Sequence, residues 1–178
     1  MFVLGIDPGL TRCGYGLVSG TEGAERAVAA GVITTNVTDS IPSRLAMLRA
    51  ELVSLIAELA PEVVVVERVL FQTNAKTAMS VGQASGVALL SAAEAGLEIV
   101  EYSSNEVKLA VAGYGGASKR QVQEMVASLL GLKEIPRPPD AADALALALC
   151  HHAYARRLSA VRRASERDAA LAQQVALS

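Results

Sequence analysis

Two short apolar runs, each followed by an acid, constrain the fold of this chain more than any other feature. Residues 2–6 are followed by Asp7, and the four valines of residues 63–66 are followed by Glu67. Runs of this length and composition are typical of buried strands. A carboxylate at the end of a buried strand loses hydration, which is costly unless it is paired or binds a cation. The two runs therefore predict a valine-rich sheet and mark both acids as candidate functional groups.

The rest of the pattern predicts an α/β chain. Glycine-rich turns separate residues 2–7 from strands predicted near residues 15–19 and 27–34, which indicates a three-stranded antiparallel meander. Helical spacing and cap residues predict helices over residues 42–59, 75–95, 104–111, 119–130 and from 140 past 151. Because helices separate the predicted strands 63–67 and 98–102, we expect these strands to join through helical crossovers. The prediction is a mixed five-stranded sheet flanked by helices.

Composition sets the broad class of the protein. With 178 residues and 52% hydrophobic content, the chain can form one domain with a substantial core, and only 3% of its residues are aromatic. We expect cytosolic residence, because no basic segment precedes the first apolar run and no run is long enough to span a membrane. Two cysteines are too few for a disulfide framework. The net charge of −2 mildly disfavours nucleic-acid binding, but bound cations would reverse the local sign.

Two further acids, Asp140 and Asp143, lie at the predicted start of the last helix. Taken alone they predict a cap, with Asp140 at the N-cap and an acid three residues later. Residues three apart also share a helix face, so both carboxylates can point at one ion. Together with Asp7 and Glu67 they form an all-oxygen set that suits Mg²⁺, and two such ions would support phosphodiester hydrolysis.

Each strand-end acid also has a purely structural interpretation. Asp7 begins an Asp-Pro-Gly turn, in which the side chain can bond its own backbone. Glu67 could be a surface acid just past the end of its strand. Only convergence of all four acids indicates a cation site, and convergence requires the first and fourth strands to be neighbours.

Several spaced motifs resemble those of the RuvC-type Holliday junction resolvases, endonucleases of the ribonuclease-H-like superfamily. The motifs are Gly5-Ile6-Asp7-Pro8-Gly9, Gly14-Tyr15-Gly16, Glu67 with Asn74, Gly82-Gln83-Ala84 with Gly86, Val107-Lys108, Lys119 with Gln121-Val122, and residues 140–146. The resemblance implies a ribonuclease-H-like nuclease domain over residues 1–155. Residues 156–178 are rich in Arg and Ala, and are expected to form a helix extension or a disordered tail.

The resemblance also implies an activity and its partners. It predicts a homodimer that cuts two strands of a four-way DNA junction symmetrically during recombination and repair, using two Mg²⁺ ions per site, with Mn²⁺ as a substitute. Asp7, Glu67, Asp140 and Asp143 match the family's catalytic metal ligands, and some members carry His where Asp140 stands. The branch-migration proteins RuvA and RuvB are the implied protein partners.

The resemblance extends to DNA contacts. Lys108 and Lys119 match basic residues linked to DNA binding or catalysis, although either alone could belong to a solvated helix face. Family members often carry a Phe three residues after the strand acid. Here Leu70 occupies that position and Phe71 follows it, so one of the two is expected to act on the junction bases, unless Phe71 caps the core. Two cations that flank the same predicted loop are weaker DNA-binding candidates, Arg68 and Lys76.

Three other functions compete with the resolvase. An actin-like or sugar-kinase-like ATPase needs a second domain and a second acidic glycine-rich turn, which this chain does not offer. A proofreading exonuclease wants an acid two residues after Asp7, where Gly9 stands, whereas a ribonuclease H remains open. A non-catalytic junction-binding module is disfavoured because all four acids are present.

Overall fold

The computed structural model describes residues 1–21, 23–68 and 75–176, including side chains other than those of residues 75–76 and 167–176. Its strands are β1 (Phe2–Asp7), β2 (Arg12–Ser19), β3 (Arg26–Thr34), β4 (Val63–Glu67) and β5 (Glu98–Tyr102). Its helices are α1 (Ile41–Leu59), α2 (Ala75–Glu94), α3 (Ser104–Ala112), α4 (Lys119–Leu129) and α5 (Pro139–Ala176).

The strands form one mixed sheet in the order β3-β2-β1-β4-β5. The first three strands pair antiparallel, whereas β4 runs parallel to both β1 and β5. Ile6 of β1 is the register partner of Val66 of β4. The predicted mixed sheet is therefore confirmed, and Asp7 and Glu67 follow paired residues at the same edge of adjacent strands.

Helices cover both faces of the sheet. One buried cluster joins Leu4 and Val64 to α1 and α2, and the other joins Val3 and Val65 to α3, α4 and α5. Successive strand residues point to opposite faces, so the central strands contribute to both clusters. This explains why residues 63–66 are almost entirely apolar: β4 has no solvent-facing side.

Glycines allow α5 to lie directly on the sheet. A Cβ at Gly5, Gly14 or Gly16 would collide with atoms of residues 140–148 on α5. Side chains at these three positions would force the helix outward, because interiors are close-packed. The close approach places the first turns of α5, with their two acids, above β1 and β2.

The start of α5 differs from the expected cap. The helix begins at Pro139, so Asp140 lies inside the first turn and is not the N-cap. Proline suits this first position because it has no N–H to leave unpaired. Ser40 is the N-cap of α1 and Ser118 is the N-cap of α4, where Ser118 forms a capping box with Gln121.

The last helix is long, and both cysteines are buried. The helix continues to Ala176, well past the segment that packs on the sheet. Cys13 and Cys150 are free and buried, in line with the prediction that the chain has no disulfide framework. Among the described helices, none combines the length and the apolar character that a membrane crossing requires.

Candidate active site

The two strand-end acids lie side by side. Asp7 is the last residue of β1 and Glu67 is the last residue of β4, and both side chains line the same cleft. Adjacent parallel strands end at the same edge of a sheet, so their side chains meet without any long loop. The first and fourth strands are neighbours, which is the condition that convergence of the acids requires.

Asp143 reaches the same place from α5, where two side chains of α4 hold it. Lys119 Nζ lies 2.5 Å from Asp143 Oδ2, and Gln123 Nε2 donates a hydrogen bond of 3.3 Å to Asp143 Oδ1. Lys119 and Gln123 are four residues apart, so they share one face of α4. The carboxylate is thus restrained at both oxygens.

These groups line one open cleft of about 290 Å³, which we call the acidic cleft. Its charged lining residues are Asp7, Glu67, Asp143, Lys108 and Lys119. The wall behind them is largely apolar and comes from α3, α4 and α5, with Val107, Val122, Ala146 and Leu147. Three predicted acids and both predicted lysines therefore share one site.

Burial and neighbouring negative charge raise the pKa values of two acids of the cleft, Asp7 and Glu67. Burial raises the pKa of Asp7 to about 7, with Glu67 and Asp143 adding repulsion and Lys119 opposing them. The pKa of Glu67 is also raised, first by burial and then by Asp143. Both pKa shifts arise chiefly from burial, and repulsion between the carboxyl groups adds to them. A site of this kind favours an added cation.

Asp140 has a different environment from the other three acids. Its Oδ2 accepts hydrogen bonds from Arg12 Nε at 3.0 Å and Arg12 Nη2 at 2.9 Å. It is not among the residues that line the acidic cleft, although its charge adds slightly to the raised pKa of Asp7. The structure therefore separates the helical pair, with Asp143 in the cleft and Asp140 in an ion pair beside it.

The donor set of the cleft suits a hard divalent cation. Its acids, Asp7, Glu67 and Asp143, supply only carboxylate oxygens, which Mg²⁺ prefers. Within residues 1–21, 23–68 and 75–176, however, no three His, Cys, Asp or Glu side chains already form a preassembled metal-binding group. The residues fit a cation by charge and chemistry, and ligation by three acids requires side-chain rotation.

Of the remaining predicted DNA-binding residues, the structure describes the side chain of Arg68 only. Arg68 follows β4, where its Nη2 donates to the Glu101 carbonyl oxygen at 3.0 Å. Lys76 belongs to α2, but its side chain lies outside the described part of the structure. Leu70 and Phe71 lie outside the described residues.

Two residues of the site were missed by sequence reasoning, Arg12 and Gln123. Gln123 lies one helical turn after Lys119, so a helical projection of α4 would have placed both on one face. Arg12 lies two residues before Gly14, on the same side of β2 as the glycine that α5 covers. Neither Arg12 nor Gln123 belongs to a sequence motif that would have identified it.

This sheet order, with acids at the ends of two adjacent central strands and helices on both faces, defines the ribonuclease-H-like class. The family model described as crossover junction endodeoxyribonuclease RuvC matches residues 3–151. The chain belongs to the RuvC family of crossover junction endodeoxyribonucleases.

Individual relatives agree with the family match. A crossover junction endodeoxyribonuclease RuvC of Moorella thermoacetica is 52% identical over 155 residues, covering 87% of this chain and 93% of the relative. A Thermus thermophilus RuvC, solved in complex with Holliday junction substrate, has a TM-score of 0.84 and 40% identity, covering 88% of this chain and 96% of that one. The yeast mitochondrial Holliday junction resolvase Ydc2 shares the fold, with a TM-score of 0.67, 17% identity and coverage of 93% and 85%.

Proposed function

We propose that this chain is a structure-selective endonuclease that resolves four-way DNA junctions by metal-dependent phosphodiester hydrolysis in recombination and repair. The observation that carries the proposal is the convergence of Asp7, Glu67 and Asp143 on one cleft in a chain of the RuvC family. The junction-bound Thermus thermophilus RuvC is similar over 88% of the chain, which supports the choice of substrate.

The proposed metal ligands are Asp7, Glu67, Asp143 and Asp140, with Mg²⁺ as the cation, Mn²⁺ as a substitute, and two ions per site. When bound, such ions lower the pKa of a water and stabilise the leaving oxygen. The side chains of the chain itself supply orientation and charge. The apolar wall of the cleft excludes bulk water from one side of the acids, which strengthens electrostatic interactions there.

Lys108 and Lys119 are the proposed phosphate contacts inside the site. Both line the acidic cleft, so each can approach non-bridging oxygens of a phosphate that enters beside the acids. A fixed ammonium group at that position stabilises the charge that develops during hydrolysis. Further DNA contacts are proposed for four residues around the loop after β4, Arg68, Leu70, Phe71 and Lys76.

The nuclease domain is proposed to span residues 1–155, with residues 156–178 as an extension. We further propose a homodimer, because a symmetric double cut requires two sites related by a two-fold axis. The surface of α2 supports this, since Met79 is 68% exposed and no described atom approaches a Cβ built at Gly82 or Gly86. A cytoplasmic location and action with RuvA and RuvB belong to the same proposal.

Cleavage of a synthetic four-way junction tests this function. The purified chain is incubated with labelled junction, matched linear duplex and an RNA–DNA hybrid, each with Mg²⁺ or with a chelator. We expect paired symmetric nicks in the junction alone, and only with the cation. Cleavage of the hybrid would indicate a ribonuclease H, and junction binding without cleavage would indicate a non-catalytic module; either result contradicts the proposal.

A further inference from the structure

The ion pair between Arg12 and Asp140 joins the start of β2 to the first turn of α5. Both hydrogen bonds from the guanidinium end on one oxygen, Asp140 Oδ2. The pair is partly shielded, with side-chain exposures of 45% for Arg12 and 27% for Asp140. Gly14, two residues along β2, leaves room for the Asp140 backbone and so fixes the approach of the two elements.

The ion pair neutralises the charge of Asp140, which lies beside the acids of the acidic cleft. Asp7, Glu67 and Asp143 already bring three mutually repelling carboxyl groups into the acidic cleft, against the two cations Lys108 and Lys119. Without Arg12, the charge of Asp140 would add more strongly to that repulsion, because Arg12 is the cation that pairs with this carboxylate.

We propose that Arg12 competes with a divalent cation for Asp140. In the cation-free protein Arg12 holds Asp140 outside the acidic cleft, and a cation that takes Asp140 as a ligand displaces the guanidinium. Arg12 is thus a positioning residue that weakens cation binding and limits repulsion among the acids before the cation arrives. The inference rests on the proposed function, because it requires a cation site at these acids.

Cation affinity measured without DNA tests the competition. Mn²⁺ is titrated into the purified full chain and binding is followed by calorimetry, with the rise in Tm as a second readout. We expect Arg12→Gln to bind Mn²⁺ about two- to fivefold more tightly, the range that a partly exposed ion pair can supply. Arg12→Lys, which retains the charge and one hydrogen bond, should stay close to the wild type.

Two further variants separate competition from general electrostatics. Arg49→Gln removes the same charge from a similarly exposed ion pair, that of Arg49 with Glu94 between α1 and α2, and should leave Mn²⁺ affinity unchanged. In an Asp140→Asn background, Arg12→Gln should produce no tightening, because the contested ligand is gone.

The outcomes distinguish this inference from the proposed function. Unchanged or weaker Mn²⁺ binding in Arg12→Gln overturns the competition, as does equal tightening in Arg49→Gln or persistence of the effect with Asp140→Asn. If the wild type binds Mn²⁺ and Arg12→Gln binds it equally well, the competition is overturned and the proposed cation site stands. Absence of Mn²⁺ binding by the wild type overturns both the cation site and the competition.

Discussion

The carbonyl oxygen of Ala144 on α5 occupies the space that a Cβ on Gly5 of β1 would need. The contact joins the central strand that ends in Asp7 to the helix that carries Asp143. The distance between these elements, and with it the shape of the acidic cleft, depends on the absence of a side chain at Gly5.

Gly5→Ala is therefore expected to destabilise the fold strongly. The added methyl group meets backbone rather than a flexible side chain, so α5 must move or the strand must bend. We expect a loss of about 3 kcal/mol or more in the free energy of unfolding, measured by urea denaturation. Gly115→Ala is the matched control, because no described atom lies within 4 Å of the position that its added Cβ would take, and its effect should stay within about 0.5 kcal/mol. Equal stabilities would contradict this account of the α5 packing.

Lys119→Met should slow junction cleavage more than it weakens junction binding. The substitution removes the ammonium group that lies 2.5 Å from Asp143 and lines the acidic cleft. Loss of one preorganised electrostatic group typically lowers kcat by about 10²-fold, whereas a single phosphate contact changes affinity modestly. Single-turnover cleavage and gel-shift titration measure the two effects. Lys133→Met, which removes the same charge beyond the other end of α4, should cleave at the wild-type rate; identical losses in both variants would refute a specific role for Lys119.

His152 should make stability depend on pH in the acidic range. Its side chain is 4% exposed, its Nε2 pairs with the Val18 carbonyl oxygen at 3.3 Å, and burial lowers its pKa below the usual 6.5. The unfolded chain therefore takes up the proton first, so stability falls as the pH drops below about 6.5. His152→Gln keeps an N–H donor but does not titrate, so its free energy of unfolding should fall less between pH 7.5 and 5.5. Parallel losses in the two proteins would show that His152 does not contribute.

Much of the fold was predictable because its signals are local. The valine run of residues 63–66 predicted a strand buried on both faces, and the glycine-rich turns after Asp7 indicated the antiparallel meander. Serine caps such as Ser118 marked helix starts, because they satisfy backbone N–H groups within the same turn. Local patterns of this kind determine element type, and the crossover rule then limits the sheet order.

The site was predicted less completely because its contacts are distant in sequence. Asp140 fits a helix cap by spacing, yet the helix begins one residue earlier and Asp140 pairs with Arg12, which is 128 residues away. The ion pair between Arg12 and Asp140 depends on the close packing of α5 on β2. Gly14 permits this packing, but a glycine at this position does not by itself predict it. The same holds for Gln123, whose partner Asp143 lies on another helix. Asp7 and Glu67 were found because each follows a recognisable strand.

The most direct test of the central claim is single-turnover cleavage of a four-way junction by Asp7→Asn, with junction affinity measured in parallel. The substitution keeps the shape of the side chain and removes a carboxylate that lines the acidic cleft together with Glu67 and Asp143. Asp39→Asn, at an exposed turn before α1, is the matched control. We predict that Asp7→Asn binds the junction within a few-fold of the wild type and cleaves it at least about 10³-fold more slowly, while Asp39→Asn cleaves normally. Cleavage by Asp7→Asn at the rate of the control would contradict the assignment of this cleft as the active site.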